Sequence, residues 1–266
     1  MRLENRIAIV VGAGQSPGEG FGNGRATALT FAREGASVLC VDHNLASAHE
    51  TAALIREKGG TAAAFRADVT KDAELKGMVS DADGRWGRID ILHNNVGVSI
   101  SGGDAMLLDL TDESFDRVVA INLRSTIMAC KHVIPIMRAQ KSGAIVNISS
   151  TAAVCEYPYV AYKATKAAMI AFTQQLALQN ASYGIRANAI LPGLMNTPMA
   201  VDTRGRTFKK TRAEVEAERD ANVPLRGKMG TAWDVANAAL FLASDEANFI
   251  TGVALPVDGG TCVKIG

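Results

Sequence analysis

The sequence predicts an α/β fold, a doubly wound parallel sheet of about seven strands with helices on both faces. Short apolar runs rich in β-branched residues, such as residues 6–11, indicate strands that are buried on both sides. These runs alternate with helical patterns, which is typical of repeated strand–helix–strand units. A chain of 266 residues can bury one sizeable core, so we expect a single domain over residues 1–266.

The composition excludes several classes of protein. The 28 basic and 27 acidic residues give a net charge of +1, without the clustered positive charge that nucleic-acid binding requires. The apolar runs are far shorter than the roughly 20 residues of a membrane span, and the N-terminus resembles no signal peptide. We therefore expect a cytoplasmic protein that acts on a small molecule, with neither nucleic acid nor a membrane as partner.

Four cysteines are widely separated in the sequence, at positions 40, 130, 155 and 262. Their spacing fits neither a metal site nor a secreted disulfide framework, so we expect no metal and a reducing compartment. Each cysteine is interpreted as a small buried hydrophobic residue. Cys155 is also close enough in sequence to the candidate site to line a substrate pocket.

The elements alternate along the whole chain. The predicted strands are residues 6–11, 37–41, 61–66, 89–93, 143–149, 184–191 and 253–257, and the predicted helices are residues 25–34, 45–58, 72–85, 111–138, 158–183 and 231–243. From Pro192-Gly193 to about Arg226 we expect irregular structure. Ligands of such a sheet bind beyond the carboxyl ends of its strands, and the candidate residues below all fall there.

A glycine-rich turn follows the first strand and precedes a helix, an order that brings backbone N–H groups up to a phosphate. Gly12 is expected to make the tight exit from the strand. Gly22-Asn23-Gly24 abuts the helix and is expected to contact the pyrophosphate of a dinucleotide, which makes the sheet Rossmann-type. The intervening residues 15–21 form either a surface loop or a flap over the phosphates.

Asp42 ends the second strand, about 20 residues beyond the glycine turn, where an acid can accept hydrogen bonds from the adenosine ribose. Its charge would repel a 2′-phosphate, which favours NAD over NADP. The neighbouring His43 would offset this charge in part if it were protonated.

Tyr162 and Lys166 are the candidate acid/base pair, because residues four apart lie on one face of a helix and an ammonium lowers the pKa of a nearby phenol. Tyr159 and Lys163 have the same spacing. Pro158 suits a first helical turn, which would leave that second pair on the frayed end and place the first pair one turn inside. Asn122, in the middle of a predicted helix, is either a tolerated polar residue or the holder of a functional water.

These motifs together resemble the short-chain dehydrogenase/reductase family over essentially the whole chain. The residues that carry the resemblance are Gly12, Gly22, Asn23, Gly24, Asp68, Val69, Asn94, Asn95, Val96, Gly97, Asn122, Ser149, Ser150, Tyr162, Lys166, Pro192, Gly193, Thr197, Ile250, Thr251, Gly252, Val257, Asp258, Gly259 and Gly260. The glycine turn is about six residues longer than the family's usual motif.

The resemblance implies hydride transfer between NAD and a secondary alcohol or ketone. It implies that Tyr162 exchanges a proton with the substrate oxygen, that Ser150 rather than Ser149 binds this oxygen, and that Lys166 lowers the Tyr162 pKa and holds the nicotinamide ribose. Asn122 would hold a water that links Lys166 to solvent. The other implied cofactor contacts are Asp68, Val69, Asn95, Val96, Gly97, Pro192, Gly193, Met195 and Thr197.

The substrate loop implied by the family corresponds to about residues 198–225, which are unusually rich in charge. Those charges indicate either a solvated lid or recognition of an anion. The flanking candidates are apolar or aromatic and favour a medium-sized substrate with a hydrophobic body: Val98, Val154, Cys155, Tyr157, Tyr159, Leu194 and Met199.

Small residues on the Tyr162 helix, such as Ala164 and Ala168, would let a second helix approach closely, and the family resemblance implies a homotetramer. The competing interpretations are an NADP-preferring carbonyl reductase and an NAD-binding sensor without turnover. An epimerase or dehydratase of the longer relatives would need a further substrate domain.

Overall fold

Seven parallel strands form the central sheet of the computed structural model, which describes residues 1–264. The strands in that range are β1 Ile7–Val11, β2 Ser37–Asp42, β3 Ala62–Arg66, β4 Ile91–Asn94, β5 Gly143–Ile148, β6 Ile185–Pro192, β7 Met195–Asn196, β8 Gly230–Thr231 and β9 Ala254–Val257. The large sheet has the order β3-β2-β1-β4-β5-β6-β9, and β7 pairs with β8 separately. The predicted doubly wound sheet is confirmed; residues 265 and 266 of the predicted domain lie outside the described part.

Helices cover both faces of this sheet. They are α1 Asn23–Arg33, α2 Leu45–Glu57, α3 Asp72–Trp86, α4 Asp112–Val119, α5 Ser125–Gln140, α6 Val160–Asn180, α7 Asp202–Phe208, α8 Arg212–Asp220 and α9 Ala232–Ala243. Because successive strand residues point to opposite faces, Ala8 and Val10 of β1 pack with α1 and α9, whereas Ile9 and Val11 pack with α3, α5 and α6. No helix within residues 1–264 is long and apolar enough to cross a membrane.

The helix predicted over residues 111–138 is not uniform. It begins as expected, with the Thr111 side chain accepting the Ser114 N–H at 3.2 Å. Between α4 and α5, however, Ala120–Arg124 form a π-helical turn that contains Asn122. Such turns occur mostly as local bulges and are frequent at functional sites. The helical period alone could not predict this bulge, since Asn122 is held by a residue distant in sequence.

The stretch predicted to be irregular contains two short helices, so that prediction was wrong. Helix α8 begins behind a capping box in which Thr211 and Glu214 satisfy each other's backbone N–H groups. Its only buried residue is Val215, so the helix lacks the apolar stripe by which a sequence pattern is recognised. Helix α7 likewise buries only Gly205.

The helix that carries Tyr162 begins later than predicted. Its first residue is Val160 and its N-cap is Tyr159, so Pro158 precedes the helix rather than lying in its first turn. Tyr162 therefore lies in the first turn, not one turn inside. The N-cap side chain makes no capping hydrogen bond, and the free N–H groups of this end are bound instead by Asp104, from a loop 58 residues away from Tyr162 in sequence.

Candidate active site

The chain winds in opposite directions from β1, which leaves a crevice beyond the carboxyl ends of β1 and β4. Gly12 ends β1 with a φ of 81°, a left-handed conformation that favours glycine. A Cβ on Gly24 would lie 1.9 Å from the Gly12 carbonyl oxygen, so α1 packs directly on the turn. Asn95, which follows β4, donates to this carbonyl at 3.2 Å. The structure thus brings these three predicted residues together.

The N-terminus of α1 is open toward this crevice. Gly22 is the N-cap residue, and no side chain caps the helix. A Cβ on Gly22 would meet only the Gln15 Oε1 atom, at 3.6 Å, so a ligand can approach this backbone. Uncapped N–H groups and the helix dipole together favour an anion. Gly22-Asn23-Gly24 therefore fits the pyrophosphate of a dinucleotide.

The side chain of Gln15 bridges the two ends of the lengthened loop of residues 15–21. The Gln15 amide donates to the Gly20 carbonyl at 2.8 Å and accepts from the Gly22 N–H at 2.9 Å. The loop also contacts the segment after β7, because Arg206 donates to the Pro17 carbonyl at 3.3 Å. It is an ordered turn that joins the glycine motif to α7.

Asp42 lies at the end of β2, beside the glycine turn. Its carboxylate accepts the Gly14 N–H at 3.0 Å and lies 3.0 Å from His43 Nδ1. Only 13% of the Asp42 side chain is exposed, whereas His43 is largely in solvent. The carboxylate thus remains at the rim of the crevice, where the sequence predicts the adenosine ribose.

Two predicted contacts follow β3. The Asp68 carboxylate accepts from the Thr70 N–H and hydroxyl, at 3.0 and 2.7 Å, and these bonds lower the Asp68 pKa. Val69 is buried next to them.

Val96 and Gly97 continue the loop after β4. A Cβ on Gly97 would lie 3.1 Å from Lys166 Nζ, so this loop passes close to the candidate acid/base pair.

Pro192 and Gly193 end β6, and the predicted contacts beyond them are partly used by the fold itself. The Met195 side chain packs into the core. The predicted contact of Met195 with a cofactor would therefore have to be made by its backbone. The Thr197 hydroxyl accepts the Ala200 N–H at 3.3 Å and is buried. A Cβ on Gly193 would lie 2.6 Å from Asp258 Cβ, which requires glycine where β6 and β9 end together.

Tyr162 and Lys166 share one side of α6, as their spacing predicts. Lys166 Nζ lies 5.6 Å from the centre of the Tyr162 ring and donates to the Ile148 carbonyl at 2.7 Å. The Lys166 residue is only 2% exposed. Tyr162 keeps partial access to solvent, and its phenol interacts with the Ser150 hydroxyl. The three side chains form one cluster at the carboxyl edge of β5.

The electrostatics of this cluster differ from the sequence prediction. Burial raises the pKa of Tyr162 to about 12, and the hydrogen bond with Ser150 opposes that rise only in part. Burial also lowers the pKa of Lys166 to about 7. The expected Tyr162 pKa below its ordinary value is therefore wrong for this state of the protein, because desolvation is the largest influence on the pKa of each group.

The two candidate serines have different surroundings. Ser149 is buried, and its hydroxyl donates to the Lys166 carbonyl at 2.7 Å, which ties β5 to α6. The Ser150 hydroxyl instead faces Tyr162 and accepts the Ala152 N–H at 3.1 Å. This geometry supports Ser150 as the residue that would meet a substrate oxygen.

Asn122 is fully enclosed, and its side chain pairs with the backbone of Val98. Its Oδ1 accepts the Val98 N–H at 2.8 Å, and its Nδ2 donates to the Val98 carbonyl at 2.9 Å and to Thr165 Oγ1 at 3.2 Å. The amide therefore fastens the loop after β4 to the π-helical turn and α6. With its side chain occupied in this way, a water held by Asn122 would have to use the main chain.

The pair with the alternative spacing has a structural role. The Lys163 ammonium donates to the Ala152 carbonyl at 3.1 Å and to the Cys155 carbonyl. The Tyr159 ring packs edge-on against Tyr157, with centroids 5.6 Å apart. These contacts hold the segment between β5 and α6 in place.

The cysteines divide into two groups. Cys40 and Cys130 are buried, as expected. Cys155 and Cys262 are only partly buried, so the prediction of a buried residue was wrong for them, and their Sγ atoms lie 2.9 Å apart. The two thiols join the segment after β5 to the segment after β9, so Cys155 faces Cys262 as well as any substrate pocket.

The remaining pocket candidates differ in accessibility. The Tyr157 hydroxyl lies 2.9 Å from Ser99 Oγ, and its ring lies 5.3 Å from that of Tyr162. Leu194 packs on the apolar cluster of α7 and α8. Val154 and Met199 are exposed, and Val98 is partly so. The pocket wall next to Tyr162 is therefore aromatic and carries hydroxyl groups.

Sequence reasoning missed Asp104 and Ser99. Asp104 is buried, and its two oxygens accept the Ala161 and Tyr162 N–H groups at 2.9 and 2.8 Å. Ser99 links this carboxylate to Tyr157. The available signal was indirect: Tyr159 is a poor N-cap residue, so the helix needed an acceptor from elsewhere in the chain.

Comparison with known proteins gives the same class. A family model described as enoyl-(acyl carrier protein) reductase matches residues 20–262. The 2-(S)-hydroxypropyl-CoM dehydrogenase 3 of Xanthobacter autotrophicus is 36% identical, over 97% of each chain. The crystal structure of a short-chain dehydrogenase/reductase from Burkholderia xenovorans has 41% identity and a TM-score of 0.90, covering 100% of this chain and 99% of the other. Levodione reductase has 31% identity and a TM-score of 0.92, over 99% and 100%.

The chain belongs to the short-chain dehydrogenase/reductase family. It is an oxidoreductase of a family that uses a nicotinamide cofactor. The open N-terminus of α1 and the close approach of Gly24 to Gly12 fit such a dinucleotide.

Proposed function

We propose that the protein transfers a hydride between NAD and a secondary alcohol or ketone. The observation that carries the proposal is the cluster of Tyr162, Ser150 and Lys166 at the carboxyl edge of the sheet, next to the crevice that fits the dinucleotide. The nicotinamide, when bound, supplies the hydride acceptor or donor. The protein has to orient the carbonyl group and move one proton.

Each side chain has a distinct task in this proposal. The Tyr162 hydroxyl donates a proton to the substrate oxygen during ketone reduction, which leaves a phenolate, and in alcohol oxidation that phenolate accepts the proton of the substrate hydroxyl, while Ser150 hydrogen-bonds the same oxygen. Lys166, fixed by the Ile148 carbonyl, lies beside the phenol and would hold the nicotinamide ribose. Asn122 keeps the loop after β4 against α6 and so positions Lys166 and Tyr162.

The substrate in this proposal has a hydrophobic body of medium size. Tyr157, Tyr159 and Leu194 supply the apolar wall, and Ser99 supplies a hydroxyl. Related proteins are named for quite different substrates, such as 2-(S)-hydroxypropyl-CoM and 2,5-dichloro-2,5-cyclohexadiene-1,4-diol. The family therefore sets the reaction, and the side chains around Tyr162 set the substrate.

The decisive experiment compares two variants of neighbouring tyrosines. A panel of secondary alcohols with NAD is monitored for reduced nicotinamide. Tyr162→Phe is expected to lower kcat by roughly a hundredfold to ten-thousandfold, the usual contribution of a general acid or base, with NAD binding retained. Tyr159→Phe, from the pair with the alternative spacing, should keep at least a third of the activity, roughly. Equal activity of wild type and Tyr162→Phe would refute the proposal, and NAD binding without any turnover would favour the sensor.

The preference for NAD rests on Asp42. Its carboxylate lies at the rim of the crevice, where it can accept hydrogen bonds from the ribose hydroxyls and repel a 2′-phosphate. We expect kcat/KM to be at least roughly a hundredfold higher with NAD than with NADP, and Asp42→Ala to reduce this ratio by about tenfold or more. A wild-type enzyme that works better with NADP would show that Asp42 has another role. The homotetramer and the cytoplasmic location remain predictions.

A further inference from the structure

We propose that Arg204 and Arg219 form an anion-binding subsite beside Tyr157, and that the substrate is a ketone or secondary alcohol that carries an oxyanionic group such as a carboxylate. This inference rests on the proposed function, because it assigns the substrate class of the same site. It decides between the two interpretations of the charged segment that follows β7.

The two arginines differ from the other charged residues of that segment. Arg212 pairs with Asp202 and Glu216, Lys210 pairs with Glu218, and Lys228 pairs with Asp220. Glu214 is used in the capping box of α8. Within residues 1–264, neither Arg204 nor Arg219 forms a salt bridge, although five acidic residues occur on the same two helices. All five acids of these two helices therefore have partners other than Arg204 and Arg219.

Both guanidinium groups keep free donors. Arg204 Nη1 donates to the Ala200 carbonyl at 3.0 Å, and Arg219 Nε contacts Met229 Sδ, a weak acceptor, at 3.2 Å. A guanidinium has five N–H donors, and in the described part of the chain the others find no protein acceptor. Both residues are partly buried. At partly exposed positions water can satisfy the remaining donors, and a bidentate oxyanion is the partner that a guanidinium fits best when it replaces that water.

The two side chains extend from the inner faces of their helices. Arg204 is three residues after Val201, and Arg219 is four residues after Val215, so each shares the face of a buried valine. These valines pack with each other and with Leu194, which is next to the substrate side of β6. The inner face of α7 and α8 therefore carries both unpaired charges.

The charges on this face act on the phenols of the candidate active site. Burial raises the pKa of Tyr157 and Tyr162, while the charge of Arg204 acts on both phenols in the opposite direction. Burial lowers the pKa of Arg219 to about 10, with repulsion from Arg204 adding to it and Tyr157 opposing it. The charge of Arg204 therefore acts on both phenols and on Arg219, which indicates that these groups lie near one another. Two like charges held together without an acid are unfavourable until an anion joins them.

The phosphates of the cofactor are a poor alternative occupant. They already have the uncapped N-terminus of α1, which is formed by Gly22-Asn23-Gly24. The charge of Arg204 instead reaches the phenol that would contact the substrate oxygen. An anion at the arginine pair would anchor one end of the substrate while its carbonyl carbon lies at Tyr162.

The test uses matched substrates. Hydroxy acids from hydroxybutanoate to hydroxyhexanoate, each with its alcohol next to the terminal methyl group, are compared with their methyl esters at constant ionic strength. We expect the wild-type enzyme to prefer at least one acid over its ester. Arg204→Gln and Arg219→Gln should each lower kcat/KM for that acid by roughly tenfold to a hundredfold, as expected for loss of a charge-assisted hydrogen bond, and change the value for the ester by less than about threefold.

A binding measurement makes the result independent of turnover. Hexanoate is titrated into the enzyme–NAD complex by calorimetry, with Lys210→Gln as the control that removes an exposed cation of the same segment. The dissociation constant should rise about tenfold or more in the arginine variants and stay unchanged in the control. If hexanoate binds in this arginine-dependent way but no alcohol is oxidised, the subsite stands and the oxidoreductase proposal fails.

Three results would overturn the inference. One is the turnover of esters and acids at equal rates in wild type and variants, in which case the oxidoreductase proposal stands without the subsite. Another is hexanoate binding that is undetectable or insensitive to both arginine substitutions. The last is a loss of NAD affinity in the variants at unchanged affinity for hexanoate, which would assign the arginines to the cofactor.

Discussion

Lys166 is an amine enclosed by protein, with the Ile148 carbonyl as its hydrogen-bond acceptor. Burial lowers its pKa from the ordinary 10.5 to about 7. At neutral pH the amine is thus divided between its charged and neutral forms, whereas the Tyr162 phenol, whose pKa burial raises to about 12, is protonated. In this state Tyr162 is ready to donate a proton, which suits ketone reduction, and alcohol oxidation is expected to accelerate as the pH rises.

The Lys166 pKa predicts a pH dependence of stability. Between about pH 7 and 10.5 the unfolded chain binds a proton at this amine that the folded protein does not, so the free energy of unfolding rises with pH across this interval. The rise from this group is on the order of 4 kcal/mol. Lys166→Met should remove it and abolish turnover. Chemical denaturation between roughly pH 6.5 and 10.5, the range between the folded and unfolded pKa values of Lys166, measures how steeply the free energy of unfolding rises with pH.

The control for this experiment is Lys163→Met, which removes the lysine that bonds backbone carbonyls one turn earlier. Because Lys163 is not enclosed like Lys166, its variant should keep the slope of the wild type. A slope that is identical in wild type and Lys166→Met would show that Lys166 keeps its ordinary pKa in the folded protein.

At this scale the sequence identified which side chains meet but not their charge states. The spacing of Tyr162 and Lys166 placed them on one face of a helix, since this depends only on helical geometry. The direction of their pKa shifts depends on how many atoms from β5 and the loop after β4 surround them, which is a property of packing. The same holds for Cys155 and Cys262, which come together from segments 107 residues apart.

Helix α6 shows how one element is positioned by a distant one. Its N-terminus carries Tyr162, and the Asp104 carboxylate accepts two N–H groups there. An acid at a helix N-terminus is also favoured by the helix dipole. The loop between β4 and α4 thus fixes the start of α6, and with it the direction of the phenol.

Removal of this cap should affect both stability and catalysis. Asp104→Ala leaves two N–H groups in a buried position without an acceptor, which costs about 1–3 kcal/mol. Because Tyr162 is one of the two residues that lose their acceptor, kcat should fall by roughly tenfold or more, with the KM for NAD little changed. Thermal unfolding and steady-state kinetics of the variant measure the two effects.

Thr231→Ala is the matched control, since Thr231 caps α9, a helix that does not carry Tyr162. It should lower stability by about 1 kcal/mol and leave kcat unchanged. If Asp104→Ala lost stability to a similar extent but kept full kcat, Asp104 would be a structural cap without influence on Tyr162.

The elements themselves were predictable where packing acts through simple periodicity. Strands such as β1 and β5 were predicted to within about two residues, because a strand covered on both faces is apolar without interruption. The short helices α7 and α8 were missed, because each has one buried residue. The π-helical turn was missed because Asn122 pairs with Val98, 24 residues earlier. Local patterns cannot contain such contacts.

For the whole molecule, the sheet topology explains why residues scattered over the sequence form one site. Parallel strands end at one edge, so Gly12, Asn95 and Ser150 follow three different strands and still lie around one crevice. This placement was predictable from the alternation of strands and helices alone. The arginines of α7 and α8 were not assigned, because which charges pair with acids emerges only in the folded segment.

The outer surface of the molecule bears on the predicted homotetramer. Ala164, Ala167 and Ala171 of α6 are exposed on one side of this helix, and Leu178 further along is 76% exposed. Small side chains let two helices approach to about 8–10 Å. In a twofold interface each residue meets the equivalent surface of the other copy. We therefore expect α6 to pack against α6 of a second copy.

This packing makes a charge in the middle of the alanine face unfavourable. Ala167→Glu would place two carboxylates near each other across the twofold axis, in a region that association removes from water. Light scattering at micromolar concentration should give a tetramer for the wild type and a smaller species for the variant, with circular dichroism unchanged. Ala73→Glu adds the same charge to the exposed side of α3 and should leave the mass unchanged. A monomeric wild type, or an Ala167→Glu variant that keeps the wild-type mass, would contradict an interface through this face of α6.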